Sequence, residues 1–297
     1  MADKHILHML TPLRHMSPFD VNMALDAGYD AAIPHTEVTL SDVSGLVQDA
    51  MFSRPPKIGV KTGVFIGGKK ALEALDMLSA AKRALVPPFG ISFFADPSGS
   101  FTTAAAMVAC VEKVLREKKK RDLRGLKIAV FGATGVVGFS AAVIAALEGA
   151  DVTLVGYDGI KRVSDAATEI KARFGATVHA ADGSDDGKKA AILNDAQAIF
   201  AAGRAGVQIL TSAQIGAAKN LLIAADVNAV PPAGIEGLKG NANGDALAGD
   251  ALGIGAYAIG GIKYKTEFGL FQKMIEAAKP VAFDFRDAFA LARELHG

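Results

Sequence analysis

The sequence predicts an α/β fold of two domains, and three observations support this. Short apolar segments alternate with longer segments of helical periodicity along most of the chain, which is typical of β-α-β units with parallel strands. Several of the apolar segments end in glycine-rich or polar turns. With 297 residues, of which 51% are hydrophobic, the chain is long enough for two ordinary domains that each have a core.

The N-terminal third predicts an open α/β domain. Ser17 followed by Pro18 marks a helix start, because proline fits the first helical turn, and Ser41 is a second candidate cap. Residues 34–36 are predicted to be a loop. Strands are predicted at 4–10, 63–68 and 91–94, and helices at 18–28, 41–51, 69–85 and 103–115.

Phe19 and Asp20 lie in the first turn of the first predicted helix. A core phenylalanine and a carboxylate favoured by the helix dipole would explain this pair without any ligand. A carboxylate at this position also suits recognition of a polar or cationic ligand, so both residues are candidates for substrate binding.

A polar segment from Asp96 to Thr103 follows a predicted strand and opens the next helix. In open α/β sheets, polar ligands bind at the carboxyl ends of strands, so the Asp96 carboxylate and the hydroxyls of this segment are candidate ligand contacts. Helix capping by Ser100 or Thr102 is the alternative, and capping and ligand binding can coexist. The candidates here are Asp96, Ser100, Thr102 and Thr103.

The most specific pattern is a glycine-rich turn between a strand and a helix. Residues 128–131 are predicted to be a buried parallel strand and 136–148 the helix that follows. The first glycine permits a tight turn, the second lets the backbone approach a pyrophosphate, and the third lets helix and strand pack closely. A packing turn that binds nothing is the alternative. The predicted dinucleotide-binding residues are Gly132, Thr134, Gly135, Val136, Val137 and Gly138.

The second strand of this unit, at 152–156, ends at Tyr157 and Asp158. Asp158 comes twenty residues after Gly138, where a carboxylate of a Rossmann-type domain binds the adenosine ribose. This favours NAD. Lys161 and Arg162 open the next helix, however, and either could reach a 2′-phosphate, so we expect NADP to be used as well.

The remaining chain continues the α/β alternation. The charged residues 116–127 are predicted to be an interdomain linker. Small residues at Ala202 and Gly203 would let a nicotinamide ribose lie against the backbone, and Asp226 and Asn228 again follow a strand. Helices are predicted at 161–173, 188–194, 266–278 and 284–295, and strands at 176–180, 197–201 and 221–225. We expect the two terminal helices to return to the first domain.

Composition excludes several classes of function. A formal net charge of +1 provides no field that would attract nucleic acid or an anionic membrane. Residues 128–147 are uncharged and long enough to span a membrane, but the glycine turn interrupts them. The N-terminus lacks a signal-peptide pattern, so a cytoplasmic location is expected. The single cysteine, Cys110, excludes an internal disulfide and is predicted to be a buried structural thiol.

Five segments of the chain together carry a family resemblance. They are Phe19-Asp20-Val21, the run from Asp96 to Thr103, the 132–138 turn, Asp226-Val227-Asn228 with Pro231-Pro232, and Gly260-Gly261-Ile262-Lys263-Tyr264-Lys265. Together they resemble the methylene-tetrahydromethanopterin dehydrogenases of methylotrophic bacteria, and the likeness extends over essentially the whole chain. Where the NADP-specific branch of that family has Gly-Arg-Lys after the second strand, this chain has Gly156-Tyr157-Asp158, so the branch that uses NAD or NADP is more similar.

The resemblance implies hydride transfer from methylene-tetrahydromethanopterin to NAD or NADP during formaldehyde oxidation, with no metal and no flavin. It implies that Lys263 is the functional lysine. We expect Lys263 to bind a substrate carbonyl that is remote from the reacting carbon. The resemblance also implies that Asp20 or Asp96 binds the pterin, and that the protein is a homo-oligomer, a trimer or a hexamer. Lys265 is expected to face the opposite way on an extended segment.

The resulting prediction is a pterin-binding α/β domain at 1–118, completed by the returning helices at 266–297, and a Rossmann-type coenzyme domain at 119–265. Other two-domain dehydrogenases, of the methylene-tetrahydrofolate or shikimate type, are the alternative within the same class. A catalytically silent NAD(P) sensor is the alternative in a different class. The Tyr-x-x-x-Lys pair of short-chain dehydrogenases is absent, because Gly261 follows Tyr257 at that spacing.

Overall fold

The computed structural model describes residues 3–297 and divides into two compact units. The first unit comprises the chain up to Thr102 together with Tyr264–Leu291, and the second comprises Thr103–Lys263 with Ala292–Gly297. Most of the C-terminal part therefore belongs to the first unit. The predicted domain boundary at 118 lies one helix later than this division.

The first unit is a five-stranded parallel sheet with helices between its strands. Its strand order is β2-β1-β3-β4-β12, one of the two common orders of doubly wound sheets. Its elements are β1 (Ile6–Leu10), α1 (Pro18–Asp26), β2 (Ala31–His35), α2 (Val43–Phe52), β3 (Thr62–Ile66), α3 (Ala71–Arg83), β4 (Ser92–Ala95), the start of α4 (Ser100–Val114), most of α9 (Ala256–Glu276), β12 (Ala282–Phe283) and the first part of α10 (Phe285–His296).

The burial of the strands agrees with this order. Every residue of β3 and β4 is buried, as expected for inner strands that carry helices on both faces. Phe65 and Phe94 project from these strands and pack against Phe271 of α9, with ring centroids 5.6 and 5.2 Å from it. This aromatic contact anchors helix α9 to the first sheet.

The start of α1 confirms its prediction, because the Ser17 hydroxyl accepts a hydrogen bond from the Asp20 N–H and Pro18 occupies the first turn. The predicted loop at 34–36 is wrong. Residues 31–35 form strand β2, in which Pro34 pairs with Met9. The strand lies at the edge of the sheet, where a proline without an N–H costs no ladder hydrogen bond.

The second unit is a seven-stranded sheet in the order β7-β6-β5-β8-β9-β11-β10. All neighbours are parallel except β10 and β11. The first six strands follow the order of the dinucleotide-binding Rossmann fold. Its elements are most of α4, β5 (Lys127–Phe131), α5 (Val136–Leu147), β6 (Asp151–Gly156), α6 (Lys161–Phe174), β7 (His179–Asp182), α7 (Asp186–Asp195), β8 (Ala198–Ala201), α8 (Ser212–Ala217), β9 (Ile223–Asp226), β10 (Asn243–Ala246) and β11 (Leu252–Ile254).

The long uncharged segment is the central strand β5 and the helix α5, and most of its residues are buried in the second unit. Its apolar character therefore serves the interior of this sheet. Among residues 3–297, no helix is long and apolar enough to cross a membrane.

Three further predictions about local structure are wrong. The charged segment predicted to be a linker continues α4 in a wide π turn to Lys119, and the Lys118 ammonium bonds the Gly244 carbonyl at 2.6 Å. Helix α2 begins after Asp42, which replaces the predicted cap Ser41. Helix α9 begins at Ala256, ten residues before its predicted start, because packing outweighs the low helix propensity of its glycines.

Candidate functional site

The candidate site lies in the second unit, where the carboxyl ends of β5, β6 and β8 meet. The strand order reverses between β5 and β8, and doubly wound sheets bind their ligands at this switch point. A cavity of about 610 Å³ opens there, which is in the range of small-molecule sites. Its lining includes Gly132, Thr134, Gly135, Tyr157, Asp158, Ala202 and Gly203.

Two of the three fingerprint glycines are required by the protein's own packing. Gly132 has a φ of +77°, and a Cβ there would lie 2.3 Å from the carbonyl oxygen of Ala202. A Cβ at Gly138 would lie 2.4 Å from the Gly132 oxygen, so helix α5 can approach β5 this closely only without a side chain. These contacts give the first and third glycines the roles that the sequence predicted.

Gly135 differs from the other two glycines. Its φ of −78° is ordinary, and a Cβ there would meet only the Gly132 oxygen at 3.3 Å and the Ala202 oxygen at 3.9 Å. Internal packing therefore explains this glycine poorly. Because Gly135 lines the cavity, a close approach between its backbone and a ligand is the better explanation.

Gly135 is also the N-cap of α5, and in the described chain no side chain caps this helix end. The first helical N–H groups, beginning at Val136 and Val137, have no partner within the helix and carry the positive end of its dipole. Such an end binds phosphate. The cavity, the small residue and the uncapped helix end together fit the pyrophosphate of a dinucleotide.

The end of β6 supplies the second part of the site. Tyr157 and Asp158 are exposed and lie beside Arg162 in the first turn of α6. The Arg162 guanidinium bonds the Asp158 carboxylate at 3.1 Å, the Tyr157 hydroxyl at 3.2 Å and the Thr134 hydroxyl at 3.1 Å. Asp158 and the Tyr157 hydroxyl raise the pKa of this guanidinium through these hydrogen bonds.

Lys161, the other basic residue at this helix start, is directed elsewhere. Its ammonium lies 2.9 Å from the Asp165 carboxylate, one turn further along the exposed side of α6. Of the two basic residues at this helix start, Arg162 is therefore the one that contacts residues of the cavity. The sequence pattern placed both residues near the ribose, and only the side-chain contacts distinguish them.

The turn after β8 forms the wall opposite β6. The Ala202 N–H bonds the Phe131 carbonyl at 2.9 Å, which continues the pairing of β5 with β8. A Cβ at Gly203 would lie 2.5 Å from the side chain of Ile209. Lys189 and Ile209 also line the cavity, although no sequence pattern marks them as site residues.

Asp226 ends β9 and Asn228 follows it, but neither lines this cavity. The Asp226 carboxylate accepts hydrogen bonds from the N–H groups of Asn228 and Ile235, at 2.9 and 3.1 Å. Burial raises the pKa of Asp226, while these hydrogen bonds act in the opposite direction. The Asn228 amide bonds Gly206, Val230 and Pro232. Both residues order the loops next to the site, and their contact with a coenzyme stays a prediction.

In the first unit, Asp96 caps helix α4. Its carboxylate accepts hydrogen bonds from the N–H groups of Phe101 and Thr102 at 2.8 and 3.3 Å, and from the Thr102 hydroxyl at 2.5 Å. Asp96 and Thr102 are fully buried, whereas Ser100 and Thr103 are partly exposed. The cap is therefore Asp96, where the sequence suggested Ser100 or Thr102.

The other predicted substrate residues lie on helices. In the first turn of α1, Phe19 is 47% exposed and Asp20 is buried. Lys263 lies on α9, so the predicted extended segment is wrong. Lys263 is partly buried and Lys265 is exposed, so the two lysines still differ in their surroundings. Within residues 3–297, no group of three metal-ligating side chains is close enough to hold a metal ion.

Comparison with known proteins identifies similar sequences. Residues 18–98 match the family model described as "Methylene-tetrahydromethanopterin dehydrogenase, N-terminal". The chain is 55% identical over 295 residues to the NAD(P)-dependent methylenetetrahydromethanopterin dehydrogenase of Methylorubrum extorquens, and the match covers 99% of both chains.

Two solved structures share the fold at low identity. An NAD-dependent malic enzyme from Thermotoga maritima aligns with a TM-score of 0.59 and 14% identity, over 97% of this chain and 84% of that one. A shikimate 5-dehydrogenase from Listeria monocytogenes, crystallised with shikimate and NAD, aligns with a TM-score of 0.51 and 13% identity, over 90% and 91%. At these identities, the likeness shows the fold alone.

Proposed function

The chain belongs to the methylene-tetrahydromethanopterin dehydrogenases, and from this premise we propose how its residues carry out the reaction. The protein is an NAD(P)-dependent enzyme that takes a hydride from 5,10-methylene-tetrahydromethanopterin and leaves the 5,10-methenyl product. The open position at Gly135, in front of an uncapped helix end, is the structural observation that carries the proposal.

The coenzyme lies along the carboxyl ends of β5, β6 and β8. The N–H groups at the start of α5 hold its pyrophosphate, and the Asp158 carboxylate accepts a hydrogen bond from the adenosine ribose. The backbone at Ala202 and Gly203 supports the nicotinamide side, because their lack of bulk admits a ribose. The lining of the cavity by these residues supports the assignment.

When bound, the oxidised nicotinamide ring accepts the hydride. Two nitrogens flank the carbon that loses the hydride and stabilise the resulting cation, so no proton needs to move in this step. The chain accordingly needs no acid–base pair here. Its residues bind the two flat rings in register and exclude water, which is catalysis by orientation.

We assign the substrate side to Phe19, Asp20, Ser100, Thr103 and Lys263. Asp96 holds the start of α4 through its cap and thereby orients the partly exposed hydroxyls of Ser100 and Thr103. Phe19 and Asp20 stay candidates for the pterin ring and its guanidine-like edge. Lys263 binds a carbonyl of the substrate through its ammonium.

Three further expectations stay predictions. They are a role in formaldehyde oxidation, assembly into a trimer or hexamer, and a cytoplasmic location. Size-exclusion chromatography with light scattering distinguishes a trimer from a hexamer, and a monomeric mass would contradict both.

Reduced nicotinamide coenzymes absorb near-ultraviolet light that the oxidised forms do not, and this absorbance tests the proposed function. Purified protein is mixed with 5,10-methylene-tetrahydromethanopterin and either NAD or NADP. We expect an increase with each coenzyme and none when the pterin is omitted. Coenzyme binding without any pterin-dependent increase would support a silent sensor and contradict the enzyme.

A further inference from the structure

We propose that Arg162 is the residue that admits NADP to a site whose carboxylate, Asp158, would otherwise select NAD. The inference rests on the proposed function, because it concerns the 2′ position of the same coenzyme. It assigns the 2′-phosphate to one side chain and excludes its neighbour Lys161.

The geometry places Arg162 at the rim of the adenosine end of the cavity. Its guanidinium bonds three residues that line this cavity, namely Thr134 from the glycine turn and Tyr157 and Asp158 from the end of β6. The charged group also lies 5.7 Å from the centre of the Tyr157 ring. The guanidinium thus spans the gap between the pyrophosphate-binding turn and the ribose-binding strand end.

Charge explains why such a residue is needed. A 2′-phosphate beside Asp158 would place two anions together, and this repulsion is the usual basis for selecting NAD. A guanidinium 3.1 Å from the Asp158 carboxylate offsets that charge. Its planar donors suit phosphate oxygens, so the same group can exchange the carboxylate for a phosphate while the two hydroxyls keep it in place.

NAD, which lacks the 2′-phosphate, does not require a cation beside Asp158. The ribose 2′-OH needs an acceptor, which Asp158 supplies while still paired with Arg162. A carboxylate has enough lone pairs for both partners. Removal of the guanidinium should therefore penalise NADP strongly and NAD weakly.

Lys161 offers a matched control because it is the adjacent cation on the same helix turn. Its ammonium is paired with Asp165, its side chain is 87% exposed, and it makes no described contact with a residue of the cavity. If general positive charge near the site were sufficient, loss of either cation would have the same effect. If the arrangement of donors matters, only Arg162 will respond.

The test uses ligands that isolate the 2′-phosphate. Wild type, Arg162→Gln, Arg162→Lys and Lys161→Gln are titrated calorimetrically with 2′,5′-ADP and with 5′-AMP, and circular dichroism melts check that each variant is folded. For Arg162→Gln, we expect 2′,5′-ADP to bind about tenfold to a hundredfold more weakly, the loss of a charge-assisted pair, while the Kd of 5′-AMP changes less than about threefold. Arg162→Lys should lie between, and Lys161→Gln should match wild type.

The contrary outcomes are distinct. Equal loss of both ligands in Arg162→Gln would make Arg162 a structural residue, and no loss of either would show that the 2′-phosphate binds elsewhere. If Lys161→Gln lost the same affinity for 2′,5′-ADP, general positive charge near the site would explain NADP binding, and a specific contact of Arg162 would not. Failure of wild type to bind 5′-AMP, NAD or NADP would instead contradict the proposed function, which separates the two claims.

Kinetics with both coenzymes provide a second readout. The KM for NADP should rise in Arg162→Gln by about the same factor as the Kd of 2′,5′-ADP, with kcat nearly unchanged, because the 2′ position is remote from the hydride. A fall in kcat with both coenzymes would contradict a role confined to the ribose.

Discussion

Two strand–turn–helix connections of this protein begin alike and use their helix ends in opposite ways. In the first unit, the buried carboxylate of Asp96 follows β4 and bonds two N–H groups at the start of α4. In the second unit, glycines follow β5, and no side chain within residues 3–297 caps α5. The first end is closed by the chain itself, whereas we propose that a bound ligand closes the second.

The difference shows how one local motif becomes either structure or site. A helix end needs acceptors for its first N–H groups, and a side chain or a ligand can supply them. An internal carboxylate stabilises the unit without any ligand. Glycines give up that stabilisation but leave room for phosphate oxygens. The first two predictions each alter one end of this comparison, and two more examine the substrate lysine and the ribose end of the open site.

The largest effect is expected for Gly135→Val. The isopropyl group would occupy the place of the pyrophosphate, so coenzyme affinity should fall at least about a hundredfold, or roughly 3 kcal/mol. The fold should survive, because the Cβ would lie no closer than 3.3 Å to the Gly132 oxygen and 3.9 Å to the Ala202 oxygen. Calorimetric titration with NAD and NADP measures the affinity.

Gly138→Ala is the matched control for the same turn. Its Cβ would lie 2.4 Å from a backbone oxygen, so this smaller substitution should lower the melting temperature. Unchanged coenzyme affinity in Gly135→Val would mean that 132–138 is only a packing turn.

At the closed end, Asp96→Ala should lower the free energy of unfolding by about 2–3 kcal/mol, because it removes the acceptor of two helix N–H groups and leaves the buried Thr102 hydroxyl with only its longer bond to the Gly99 carbonyl. Chemical denaturation measures this loss. Asp96→Asn keeps one acceptor oxygen and should cost less. Equal stability of wild type and Asp96→Ala would show that this helix end is not held by its cap.

The next prediction concerns Lys263, which we place at the substrate. Lys263→Ala should reduce kcat about tenfold to a hundredfold, as loss of a charge-assisted hydrogen bond would, and leave the Kd of NAD unchanged. Lys265→Ala, on the exposed side of the same helix, is the control. Normal turnover of Lys263→Ala at saturating pterin would remove this lysine from the site.

The smallest effect is expected for Tyr157→Arg at the ribose end of the open site. A second guanidinium there should shift specificity toward NADP by about 1–2 kcal/mol, or about tenfold. The ratio of kcat/KM for the two coenzymes, in wild type and variant, measures the shift. If that ratio does not move, Tyr157 does not lie beside the 2′ position.

The sequence predicted most of the second unit because its signals are local. Gly132 and Gly138 meet backbone requirements of the turn, and Gly135 and the acid after β6 lie at characteristic spacings from them, so a short stretch of sequence is enough to find all four. Arg162 pairs with Asp158 beside the cavity, whereas Lys161 pairs with Asp165 further along the helix. The composition of the sequence does not reveal which carboxylate each cation meets. The sequence predicts Asp96 to be a polar ligand contact. Its role as the cap of α4 depends on the fold of the turn between β4 and α4.

The misplaced elements have a common physical cause. Strand β2 contains Pro34, and helix α9 contains Gly260 and Gly261, so local propensity opposes both. The edge position and the packing of Phe271 overcome these propensities. Tertiary contacts therefore determine where β2 and α9 form, and the periodicity of the sequence does not reveal these contacts.

Amide hydrogen exchange with and without NAD tests the contrast between the two helix ends most directly. The account predicts that saturating NAD slows exchange of the Val136 and Val137 amides at least about tenfold, because phosphate oxygens become their acceptors. The amides of Phe101 and Thr102, already bonded to Asp96, should exchange at the same rate in both samples. Protection at Phe101 and Thr102 without protection at Val136 and Val137 would contradict the account.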